Sequence, residues 1–151
     1  TGVQTCALPI YSVRSYYLTG FGMIIPGGWD KNAEKRTGTI RGYTEARRVG
    51  PLLLGDYYPL TPYSLDKTSR IAWQFHRADL NQGVVQAFRR PEAASGTLTV
   101  KLRALEPQKR YEIENLDGGK EVRTGAELMR SFDITVREKP AAVVLILKGI
   151  K

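Results

Sequence analysis

The chain has 151 residues, a formal net charge of +8, 42% apolar and 25% charged residues, and a single cysteine. That is the make-up of a globular protein of one ordinary domain, or of one small domain plus a piece of another. It excludes a disulfide scaffold and a thiolate zinc site, and no apolar run approaches the roughly 20 residues of a membrane helix. The basic residues are scattered as Lys35-Arg36, Arg47-Arg48, Arg89-Arg90, Lys109-Arg110 and Lys148. With no long basic run and no one-sided stripe, the charge reads as solvated surface, so neither nucleic acid nor membrane is expected as a partner.

Residues Thr1-Gly2-Val3-Gln4-Thr5-Cys6-Ala7-Leu8-Pro9-Ile10 resemble the translation of a common short-read sequencing adapter. Residues 1–10 are therefore set aside as an artefact before any fold reasoning. That removes Cys6, and it implies that Tyr11 is not a natural start.

Val13 to Tyr17 mixes β-branched and aromatic residues with Arg14 and Ser15. Phe21 to Pro26 has the length of a buried strand, although a buried helical turn has the same pattern. Gly27-Gly28 allows a tight turn. Asp30 can cap a helix over roughly residues 31–48, because its carboxylate can accept the free amides of the first turn. Ile40, Tyr43, Ala46 or Arg47, and Val49 give that helix a modest apolar stripe, which Gly38 and Gly42 weaken. Gly50-Pro51 ends it.

The segment Gly55 to Ser64 organises the chain. Pro59 and Pro62 exclude it from helix interiors and central strands. Its tyrosines read as an aromatic linker between two packed units; a sugar-contacting rim is the alternative. From Arg70 onward the apolar period is two. Ile71, Trp73 and Phe75 alternate with Ala72, Gln74 and His76, which places His76 on the exposed face. Similar alternation runs through Val84–Arg89, Thr97–Arg103, Tyr111–Glu114 and Ile134–Val136, and residues 141–147 form an apolar last strand. Turns are expected at Asn81-Gln82-Gly83, Ser95-Gly96, Glu106-Pro107-Gln108 and Asp117-Gly118-Gly119, and one helical turn at Gly125–Arg130. This spacing predicts an antiparallel sandwich or barrel, each sheet having one core face and one wet face.

Few residues carry chemistry. His76 is the only histidine and lacks a nucleophile partner in the pattern. No ligand set supports a metal, and no glycine or lysine loop supports a nucleotide cofactor. Glu112, Glu114, Glu121 and Glu138 fall on solvated positions. Asp30 differs: it follows a candidate buried strand through a Gly-Gly turn, beside Trp29. Residues just past a barrel strand's C-terminal end face the active site, and Trp29 can stack on a sugar. Helix capping by Asp30 and packing by Trp29 are the plainer alternative.

Three runs carry a family resemblance: Arg47 to Ser64, Ile71-Ala72-Trp73-Gln74-Phe75 with Gly83 to Arg90, and Leu102 to Pro107 with Arg110 to Ile113 and Thr124 to Met129. In this order they resemble the C-terminal antiparallel sandwich of α-galactosidase-like glycoside hydrolases, the melibiase group of families 27 and 36. The resemblance implies a mainly β chain in which residues 11–54 are the last strand and helix of a truncated (β/α)8 barrel, and residues 55–151 the C-terminal sandwich. It implies retaining hydrolysis by two aspartates on earlier barrel strands, neither of whose motifs is present, so no catalytic residue is assigned and the chain alone should be inactive. Arg14, Trp29 and Asp30 are the positions that could reach the sugar pocket. The expected ligand is an α-galactoside or related oligosaccharide bound through the barrel; no cofactor is implied, and homo-oligomers and compartment are left open. A carbohydrate-binding sandwich with Trp73, His76 or Tyr111 as its platform, or a structural module without ligand, is the alternative.

Overall fold

A computed structural model describes residues 10–17, 31 and 33–150. Two helices, α1 (Ile10–Ser15) and α2 (Ala33–Val49), are followed by a 3-10 turn, Gly50–Leu54. Strands β1 (Asp56–Pro59), β2 (Arg70–Arg77), β3 (Gln82–Arg89), β4 (Thr97–Val100), β5 (Arg110–Asn115) and β6 (Lys120–Thr124) come next. Helix α3 (Gly125–Arg130) precedes β7 (Phe132–Thr135) and the long β8 (Ala141–Ile150). Six strands form one antiparallel sheet in the order β1-β2-β3-β8-β5-β6, and β4 pairs with β7 in a small second sheet. The mainly β, antiparallel architecture is the expected one.

The alternation along each strand splits its side chains between two cores. Ala72, Val85, Ala87, Tyr111, Ile113, Val143, Leu145 and Leu147 meet Phe132, Ile134 and Leu128 from the small sheet and α3. On the opposite face Phe75, Val84 and Val144 meet Val13, Tyr17, Val49, Leu52 and Leu53 from the helical segment. The large sheet is thus covered on both faces, and β3 is buried along almost its whole length. This corrects the expectation of one wet face per sheet. Alternation of bulky with small or amide residues looks half-exposed in sequence, yet Ala72 and Gln74 are as buried as the aromatics they alternate with.

Several boundaries shift. The turn expected at Asn81-Gln82-Gly83 lies earlier, since Gly83 sits inside β3 opposite His76. Gly118 and Gly119 do form the β5–β6 turn, both at positive φ, where glycine carries no steric penalty. The segment Asp56–Pro59 is an edge strand, where Pro59 costs no ladder bond. Tyr57 packs tilted on Phe75 at 5.3 Å, but Tyr57 and Tyr63 remain exposed, so they do not glue two units together. The strand expected at Phe21 to Pro26 lies outside the described residues.

On α2, the inward face is not the one the apolar stripe suggests. Ile40 and Tyr43 are exposed, whereas Gly42, Glu45 and Val49 are buried. Gly42 lets the helix approach α1: a Cβ there would lie 2.6 Å from a Val13 methyl. Glu45 is drawn inward by charge.

Candidate functional site

Arg14 is the most enclosed charged side chain among the described residues, with no exposed surface. Helix α1 lays it between α2 and the end of the large sheet. Its Nε and Nη2 donate to both carboxylate oxygens of Glu45, each at 2.9 Å. Nη1 and Nη2 donate to the two oxygens of Asp117, each at 2.8 Å, and Nη1 also donates to the Ala142 carbonyl at 2.6 Å. A guanidinium has five N–H donors in a fixed fork, and all five are used here. Arg41 extends the network by bonding Glu45 at 3.0 Å and Asp117 at 2.5 Å. The Tyr17 hydroxyl donates to the Gly42 carbonyl at 2.9 Å.

The electrostatics follow from this geometry. Burial opposes the charge on Arg14, but the hydrogen bonds to Glu45 and Asp117 outweigh it and hold the guanidinium firmly protonated. Burial likewise pushes the Asp117 carboxyl up; the bonds from Arg14 and Arg41 prevail and keep it below its usual range. Burial, then Glu45, pushes the Tyr17 hydroxyl up. The sequence reading offers Arg14 as a sugar contact. In the structure every one of its donors is spent inside the protein, where it clamps the helices to the β5–β6 turn. Trp29 and Asp30 lie outside the described residues.

Two buried glutamines escaped the sequence reading. The Gln74 side chain pairs with both backbone groups of Arg103, each at 2.8 Å, so it ties β2 to the loop after β4. Gln86 donates to the Arg14 carbonyl at 3.2 Å and accepts from the Trp73 indole at 2.9 Å. The signal was available: glutamines inside apolar strands have to find partners once buried.

The three residues considered as a sugar platform are not displayed. Trp73 is half-buried and stacks on Phe88 at 4.9 Å. Tyr111 is fully buried and its hydroxyl accepts from the Glu106 amide at 3.0 Å. His76 is buried too, contrary to its expected exposure, because the face it shares with Ala72 and Gln74 packs against the second layer. The exposed acids are largely paired: Glu112 with Lys120, Glu114 with Arg48, and Glu121 with Arg123.

A groove of about 330 Å³ opens between β5–β6 and β7. Buried Ile113, Ile134 and Leu145 contribute to its lining, along with Lys120, Glu121 and Asp133. Those polar groups are already engaged, Asp133 by the Thr99 hydroxyl at 2.5 Å. Among the described residues no group of three His, Cys, Asp or Glu side chains could hold a metal.

Residues 70–131 match the glycosyl hydrolase family 36 C-terminal domain. They comprise β2 to β6 and α3, and leave out β7 and the central strand β8. Solved structures agree. The chain is 27% identical, with a TM-score of 0.62, to the family 36 α-galactosidase AgaB from Geobacillus stearothermophilus. It is 26% identical, with a TM-score of 0.63, to a variant of α-galactosidase AgaA from the same organism in complex with stachyose. The galactosidase domain of the α-galactosidase–sucrose kinase AgaSK shares the fold at 23% identity and a TM-score of 0.62. Each alignment covers 79% of this chain and 16% of the other. No curated protein matches the chain. The β layers are therefore associated with family 36 glycoside hydrolases, on their C-terminal side.

Proposed function

We propose that this chain is the C-terminal part of a retaining glycoside hydrolase of the α-galactosidase type, in which the sandwich buttresses a catalytic barrel and the chain alone is inactive. The observation that carries this reading is the family 36 C-terminal match over residues 70–131, on strands that contribute to both cores. In this reading residues 11–54 supply the last strand and helix of a (β/α)8 barrel, and residues 1–10 are adapter-derived. Trp29 and Asp30 border the sugar pocket, where Trp29 can stack on a sugar. Catalytic aspartates belong to earlier barrel strands, and an α-galactoside or related oligosaccharide is the substrate. The Arg14 clamp supports a buttressing role, because it fixes the helical segment to the sheet through charge-assisted bonds, the strong class of hydrogen bond.

The test is to read the source DNA upstream of the Tyr11 codon, express the extended frame, and assay it with an aryl α-galactoside and raffinose. Hydrolysis by the extended protein, with none by the 151-residue chain, is the expected result. An upstream frame without a barrel, or an extended protein that hydrolyses neither substrate, overturns the reading.

A further inference from the structure

We propose that His76 is a proton-operated latch on the edge strand β1: neutral, it lets β1 close against β2, and protonated, it releases β1. His76 is 4% exposed, and its Nδ1 is the one buried side-chain nitrogen or oxygen among the described residues without a hydrogen-bond partner. Such an atom is costly to leave unpaired, and a charged ring there costs more.

The walls around the ring decide what gives way. Across β1, β2 and β3 the register sets Asp56, His76 and Gly83 in one row. The β3 side is shut, since a Cβ on Gly83 would lie 3.3 Å from Nδ1 and 2.8 Å from the Phe75 carbonyl oxygen. The entry to β1 is also close, because a Cβ on Gly55 would lie 2.3 Å from the His76 carbonyl oxygen. Carboxylates act on the ring from two elements, Asp56 on β1 and Glu106 on the loop between β4 and β5. β3 is held in the sheet by β2 and β8, but among the described strands β1 has only β2 as a neighbour. Its residues Asp56, Tyr57 and Pro59 are exposed, and Pro59 donates no backbone bond. Water reaches a newly charged ring most cheaply by parting β1 from β2.

The sign of the pH effect follows. Burial lowers the imidazole below its ordinary value of 6.5, ahead of the opposing pull of Asp56 and Glu106. The opened form therefore binds the proton better than the closed form. Closure of β1 is at full strength above about pH 6.5 and weakens as the pH falls below it.

The experiment is amide hydrogen exchange on the 151-residue chain at pH 7.5 and 5.5, normalised for intrinsic exchange, alongside NMR titration of the ring. As the sole histidine, His76 gives an unambiguous ring signal. Expected is a loss of protection of about tenfold, the step from the ordinary imidazole value of 6.5 down to pH 5.5, at Tyr58 and Leu60, whose amides face β2, with Val85 and Val144 unchanged. In His76→Gln the loss should vanish. In Asp56→Asn the ring itself should titrate at lower pH, because one attracting carboxylate is gone. The latch is overturned if β1 protection is flat with pH, if β3 and β8 lose as much, or if the step survives in His76→Gln. Should that variant fail to fold, the wild-type titration and Asp56→Asn decide alone: a ring titrating at its ordinary value with β1 unmoved ends the proposal.

Discussion

Arg14 shows how one residue changes meaning between sequence and fold. In sequence it is a cation among β-branched and aromatic residues, read as one of the positions that could reach a sugar pocket. In the structure it joins α1, α2, the β5–β6 turn and β8, through partners 31, 103 and 128 positions away. No local pattern announces separations of that size, so its role was not legible. Removing one member of a buried ion network leaves the other charges stranded. Arg14→Met should therefore cost roughly 3–5 kcal/mol in urea denaturation, most of it from Glu45, which stays buried with only Arg41 and the Tyr17 hydroxyl left to it. Replacing Glu45 by Leu in the same chain should recover part of that loss. Additive losses in the double variant would show that the two side chains do not act together.

The elements themselves were more legible, because periodicity is local. The α2 helix, the strands after Arg70 and the α3 turn all lie close to where apolar spacing and turn residues place them. The capping box of α3 is explicit: the Thr124 hydroxyl accepts from the Glu127 amide at 3.2 Å, and the Glu127 carboxylate accepts from the Thr124 amide at 2.8 Å. Which face of an element turns inward was less legible. Ile40 and Tyr43 looked like the core face of α2, but Gly42 and Glu45 take it, since close approach to α1 and the pull of a buried guanidinium outrank the apolar stripe there. Two glycines separate propensity from packing. Around Gly38 in α2 there is open space, so Gly38→Ala should stabilise the chain by about 0.4–1 kcal/mol through the unfolded state. At Gly125 a Cβ would sit 2.1 Å from the Glu106 carbonyl oxygen, so Gly125→Ala should cost about 1–3 kcal/mol despite better helix propensity. Thermal unfolding of the two variants checks both signs; equal shifts would mean that packing at Gly125 does not decide.

For the whole molecule, the antiparallel architecture could be read from the chain, but the way it divides could not. The aromatic, proline-bearing stretch at Gly55 to Ser64 looks like a border, and composition changes there. Packing ignores that border. Val49, Leu52 and Leu53 before it share one buried cluster with Phe75, Val84 and Val144 after it. Residues 55–151 produced alone should consequently expose that sheet face, bind a hydrophobic dye and self-associate in size-exclusion chromatography, whereas the 151-residue chain should do neither. A monomeric, dye-silent 55–151 piece would return the border to residue 54. The same packing bears on how such a β unit could pass between enzymes by recombination. A crossover placed at the change in composition would part the sheet from its own cover. One placed ahead of α1 would carry the sheet, its helical cover and the Arg14 clamp together, so the smallest heritable block here is larger than the strands that define it.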